Sequence, residues 1–264
     1  MTNAQTWLDE NIPLNQRNNI RELLIDNISQ QERNERDNEL GLRSRTANEY
    51  YLTTPLTGEL NLSTFPHLKR LKVEHQSLTR LVLADCHSLE SLEANDNLLR
   101  EVVFPTQTQA LESVYLTNND LSARNLYCFS HFPNLRVLFL GTDDKDRIRQ
   151  GIYNRWNGSL MYLLTLTKLE ELDINATDID DGLRCLATKG LNYFTFGSQG
   201  RTEAGVNQIK NIFKNDFRLK EGEDAEEWIE EWAADDDFDN NSYKIRHIRG
   251  WQERQITAWV VEVP

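Results

Sequence analysis

Between Leu68 and Gln199 the apolar positions of this chain fall into one nine-residue frame, written six times. Leu68-Lys-Arg-Leu71-Lys-Val73-Glu-His-Gln76 is followed by Leu89-Glu-Ser-Leu92-Glu-Ala94-Asn-Asp-Asn97 and Leu111-Glu-Ser-Val114-Tyr-Leu116-Thr-Asn-Asn119. Leu135-Arg-Val-Leu138-Phe-Leu140-Gly-Thr-Asp143, Leu169-Glu-Glu-Leu172-Asp-Ile174-Asn-Ala-Thr177 and Leu191-Asn-Tyr-Phe194-Thr-Phe196-Gly-Ser-Gln199 complete the series. In each copy the second and third apolar residues stand two apart, so on a strand both point to the same side. The first closes the bottom of that core. The ninth residue is polar and is expected to turn inward, where an amide satisfies backbone groups of the neighbouring turn. Asn97 and Asn119 suit that role, while Gln76, Cys86, Asp143, Thr177 and Gln199 are looser fits.

This frame is the signature of leucine-rich repeats. The leading leucines at 68, 89, 111, 135, 169 and 191 set a period near 22 residues, broken once. The fold class expected is therefore an α/β solenoid of leucine-rich repeats of about 21–24 residues, β-rich with a parallel sheet, and with a helical N-terminal cap. A nested half-repeat, Leu78-Thr-Arg-Leu81-Val-Leu83-Ala-Asp-Cys86, predicts extended segments on the back of the coil as well. Leu121–Phe129 and Ile179–Leu183 read as short helical backs, with Asp178 or Asp180 capping a helix over Gly182–Leu186. The jump from Leu135 to Leu169 marks an insertion at residues 143–159, and inserted loops are where solenoids often bind. Asp143 or Asp144 is expected to cap a helix from Lys145 to about Tyr153.

At the N-terminus, Ile20, Leu23, Leu24 and Ile28 recur at helical spacing, and Trp7 and Leu8 precede Pro13 on a short helix. Residues 1–48 are read as a helical cap and loop, and residues 49–202 as the repeats. Residues 203–220 are read as a C-terminal cap helix, and residues 221–264 as an acidic, Trp-rich extension. In that extension Trp228 and Trp232 share a helical face and Ile256–Val263 reads as a strand. It either docks on the end of the repeats or binds a partner.

Asn3–Asn11, Leu56-Thr-Gly-Glu-Leu60-Asn-Leu62, Gly151–Leu160 and Leu169–Leu183 together resemble an expanded fungal family of intracellular leucine-rich-repeat proteins. The resemblance covers residues 3–215 and is most specific across the insertion. It implies a recognition role, since members stand beside protein kinase or other signalling domains. Arg33–Tyr50 is longer and more polar than the family pattern, and the tail after Glu221 lies outside it.

Charge narrows the partners. The net charge is −13, but Glu221–Asp239 alone holds 11 acidic residues and no Lys or Arg. The remaining 29 basic and 31 acidic residues nearly balance, which disfavours a nucleic-acid or anionic-membrane partner. No run of 18 apolar residues predicts a membrane span, and the first residues lack the basic and apolar pattern of a signal peptide, so a cytoplasmic setting is expected. Cys86, Cys128 and Cys185 read as small core residues.

No catalytic residue, metal ligand or cofactor is expected. The five histidines form no H-E-x-x-H, and neither C-x-x-C nor a glycine-rich phosphate loop occurs. In Asp85-Cys86-His87, adjacent strand residues point to opposite faces, so nucleophile and base would not meet. The expected function is a non-catalytic protein–protein interaction module that binds a protein or peptide on its concave face. The alternative is the substrate-recognition or adaptor part of a signalling or ubiquitin-ligase assembly, since Ile12-Pro-Leu before an apolar helix faintly resembles a ligase-adaptor box. Strand alternation turns Tyr115, Val137, Phe139, Glu171, Asp173 and Tyr193 outward. The insertion helix adds Arg149 and Tyr153, as a ledge beside Phe139 and Asp173 or as a structural brace with Trp156 buried. The oligomeric state is left open.

Overall fold

The computed structural model describes residues 2–27, 48–106, 109–186, 191, 193–216 and 244–246. The expected loop Gln30–Thr46, the acidic run 221–239 and the strand at Ile256–Val263 lie outside them. The chain packs as two units, Met1–Leu121 and Ser122–Pro264.

In the first unit, strands β5 (Arg70–Val73), β7 (Ser91–Glu93) and β9 (Ser113–Tyr115) are parallel neighbours. They pair Leu71 with Leu92 and Leu92 with Val114 in register. These residues are fully buried or nearly so, because each repeat's apolar pair covers that of the next. The half-repeats form a second parallel sheet on the other side. Its strands run β1 (Thr2–Asn3), β4 (Leu56–Asn61), β6 (Ser77–Val82) and β8 (Glu101–Val103). The polar frame residues join the two layers. Asn119 donates to the Ala94 carbonyl at 2.9 Å while its own carbonyl accepts from Leu99 N–H at 3.0 Å. Asn97 does the same between the Val73 carbonyl and Leu78 N–H, and Gln76 receives Leu56 N–H at 2.8 Å.

The N-terminus differs from the expectation. Helix α1 (Ala4–Asn11) forms, capped by Asn3, whose side chain accepts from Thr6 N–H, and it buries Trp7 and Leu8. The one-turn helix α2 (Leu14–Arg17) follows Pro13. Ile20 to Asn27 is not helical: β2 (Glu22–Asn27) is a strand paired in parallel with β5 and with β3 (Asn48–Leu52). Leu23 and Ile25, two apart, are fully buried, whereas Leu24 is half-exposed on the other face. A short apolar run fits both periods, and pairing with β5 decides for the strand.

The second unit repeats the pattern with β10 (Val137–Phe139), β12 (Glu171–Asp173) and β14 (Tyr193–Thr195), again parallel. Its back is built of 3-10 turns at Leu126–His131, Leu160–Leu163 and Leu183–Leu186, together with the strand pair β11 (Asn157–Ser159) and β13 (Asp178–Asp181). Asp178 starts β13 and pairs with Arg201 at 2.7 Å, so the helical back expected over Ile179–Leu183 begins as a strand and turns only at Leu183. Helix α4 spans Val206–Asp216. A three-residue strand, β15 (Lys244–Arg246), adds to the β14 edge in the antiparallel sense.

The insertion interrupts the repeat at a defined joint. Asp143 is exposed and does not take the inward frame position. That position passes to Asn154, fully buried, whose side chain donates to the Leu140 and Gly141 carbonyls at 2.9 and 3.2 Å and whose backbone N–H donates to Thr142 Oγ1. The extra residues therefore lie between the strand and its closing asparagine. A carboxylate has no N–H to give those two carbonyls, so an amide is needed there.

Candidate functional site

The outward face of β10, β12 and β14 gathers the most distinctive side chains of the second unit. Leu138, Leu172 and Phe194 face the core. Alternation then places Val137, Glu171 and Tyr193 in one row across the strands, and Phe139, Asp173 and Thr195 in the next. Phe139 and Tyr193 lie on strands two apart, which puts their backbones about 10 Å from each other. Their ring centroids are nonetheless 5.6 Å apart and nearly parallel, at 27°. Both rings therefore lean inward over β12, where Glu171 and Asp173 sit. Phe139, Tyr193, Val137 and Glu171 are all half-buried.

Asp173 is different, being 4 % exposed. Its Oδ1 accepts from Thr195 Oγ1 at 2.8 Å and Asn175 N–H at 2.9 Å. Gly141 makes room for it, because a Cβ there would come within 2.6 Å of both carboxylate oxygens. Burial raises the Asp173 pKa, and the neighbouring Asp143 charge raises it further, to about 7, against the opposing pull of those hydrogen bonds. Asp143 itself is bonded to Asn175 Nδ2 at 2.8 Å. Because the folded protein holds this proton more tightly than the unfolded chain, the contribution of Asp173 to stability is fully present below pH about 4 and is lost as pH rises to about 7. Asp173→Asn is expected to remove that slope and raise the melting temperature at neutral pH. Parallel melting curves for parent and variant across this range would refute the assignment.

The remaining expected site residues make other contacts. Asp144 caps α3 (Lys145–Arg149), accepting from Asp146 and Arg147 N–H, so the helix is shorter than the expected run to Tyr153. Arg149 is well exposed and pairs with Asp146 of its own helix at 2.6 Å. Tyr153 takes the guanidinium of Arg201 over its ring at 3.7 Å and that of Arg155 at 4.4 Å. Trp156 is core, 1 % exposed, against Phe129 at 5.2 Å, with an indole N–H that has no protein partner. Tyr115 belongs to the first unit, half-buried on β9 in register with Glu93. Sequence reasoning overlooked Arg201 and Asn154. Arg201, 5 % exposed, bonds the Ala176 carbonyl and Asp178.

The Asp85-Cys86-His87 triplet lies in a turn after β6 and not on a strand, so strand alternation does not apply to it. Cys86 is buried with its thiol donating to the Leu62 carbonyl at 3.2 Å, and His87 is exposed. Burial, with a smaller contribution from Asp85, pushes the thiol pKa up to about 12, so no thiolate forms there at neutral pH.

Parallel strands at a repeating interval, an inward amide ladder and turn or strand backs define an α/β repeat fold of the leucine-rich-repeat kind. No protein-family model and no curated protein sequence matches the chain. Among solved structures, the plant peptide hormone receptor RGFR1 in complex with RGF2 aligns with a TM-score of 0.44 and 18% identity. That alignment covers 67% of this chain and 28% of the receptor chain.

Proposed function

We propose that this protein is a non-catalytic interaction module that binds a protein or peptide segment on the outward sheet face of its second unit. The observation that carries the reading is the stacked Phe139–Tyr193 pair, half-buried on a face it shares with Val137 and with the polar Glu171, Asp173 and Thr195. Aromatic side chains at the centre of a rigid sheet supply large contact area at little entropic cost, which is why they dominate binding energies. Val137 extends the apolar floor, and Glu171 supplies a charged flank. Arg149 and Tyr153 stand at the insertion, where Arg149 keeps its exposed head beside Asp146.

The test is selection of peptides from a displayed library on the immobilised full chain, followed by affinity measurement on Phe139→Ala/Tyr193→Ala. Selected peptides are expected to lose more than about tenfold in affinity with the melting temperature little changed. Peptides that bind parent and variant equally would remove this face from contention. A collapsed melting temperature would make the rings part of the core instead.

A further inference from the structure

In the first unit a different group of side chains converges at the carboxyl ends of β2 and β5. The strands pair Ile25 with Val73, so the next residues, Asp26 and Glu74, stand level on adjacent strands, with His75 one step beyond. One donor atom from each of the three, two carboxylate oxygens and an imidazole nitrogen, lies within 4.8 Å of the others. We propose that Asp26, Glu74 and His75 form a binding site for a first-row divalent metal ion of the Zn2+ type. An imidazole with two carboxylates suits such an ion better than Ca2+ or Mg2+, which take all-oxygen shells, and three protein ligands leave a position for water.

The surroundings are those of a ligand set already oriented. His75 Nδ1 is 3.0 Å from Asp26 Oδ1, and its other nitrogen, Nε2, is 3.5 Å from Asp96 Oδ2. A carboxylate behind a ligating imidazole fixes the ring and its tautomer. Asn95 Nδ2 donates to Glu74 Oε1 at 2.7 Å, which leaves Oε2 to the Lys72 ammonium, and Asn27 N–H donates to Asp26 Oδ1 at 2.8 Å. Both carboxylates are largely buried, while the His75 ring is half-exposed and gives an ion access from solvent. The Lys72 ammonium lies 2.9 Å from Glu74 and 3.8 Å from Asp26. It is the cation the metal has to displace, and its flexible stem lets it swing away.

Zn2+ alone, titrated calorimetrically into the full chain at neutral pH, is expected to fill one site that His75→Asn and Asp26→Asn abolish. Asparagine is chosen at 75 because the backbone there is left-handed (φ 53), a conformation Asn118 adopts at the equivalent position. Asp96→Asn should weaken the site about tenfold through the imidazole, and Lys72→Met should tighten it by about the same factor. Circular dichroism of each variant establishes that the fold is kept. Absence of a saturable site in the parent, or equal binding by parent and His75→Asn, overturns the proposal. So does a Lys72→Met variant that binds no tighter than the parent, since the ammonium and the ion would then not share a place.

Discussion

Asn119→Leu is expected to lower the unfolding free energy of the chain by about 3 kcal/mol, the sum of several modest losses. The amide is fully buried and bonds the Ala94, Leu116 and Thr117 carbonyls while receiving Leu99 N–H. Leucine matches its size but offers neither donor nor acceptor, so these backbone groups are left in the core without partners. Burying the extra apolar surface returns only part of that cost. Urea denaturation reads the difference directly as a lower midpoint at unchanged slope. A midpoint equal to the parent's would mean that Asn119 does not link the two sheet layers.

Arg201→Met should be of similar size, about 3 kcal/mol, because it removes a guanidinium from a site that cannot rehydrate it. Most of the loss comes from the Ala176 carbonyl and the Tyr153 ring face, which the planar group serves together. Asp178, a third exposed, is partly reached by solvent and contributes less. Arg201→Lys restores the charge but not the flat, forked geometry, so it should recover little of the melting temperature. A lysine variant as stable as the parent would show that charge alone matters at this position.

The six repeated frames were fully legible, because residues two apart on a strand and a fixed period leave little freedom in assigning Leu71, Leu92 or Leu172 to the core. The amide ladder at Asn97 and Asn119 was legible for the same reason, since a polar residue at a fixed inward position has one physical use. The jump from Leu135 to Leu169 also places the insertion at residues 143–159; what the frame does not disclose is which residue closes the interrupted turn. Counting from Leu135 puts Asp143 at the ladder, and only the folded chain shows that the count resumes at Asn154. Leu23 and Leu24 are strand residues where the spacing predicts a helix, because a short apolar run fits both and pairing with β5, distant in sequence, decides; Ile28 lies outside the described residues. The outward positions of Phe139, Glu171 and Tyr193 followed from alternation. That the two rings close over β12 did not, since rotamers are set by neighbours and not by period. Arg201 gave no signal at all, because a buried arginine is recognised only by the carbonyl and ring it meets.

The placement of Asn154 also bears on how this chain tolerates a change in length. The extra residues begin after the strand's last core side chain and finish before the amide that seals the turn, so the hydrogen-bonded frame closes on either side of them. Lengthening a loop whose ends are already pinned costs little, growing only with the logarithm of its size. Segments of foreign sequence can therefore be grafted between Asp143 and Ile152, with Tyr153 and Asn154 retained as the anchor. The same joint offers natural variation a place to try new loops without reopening the core.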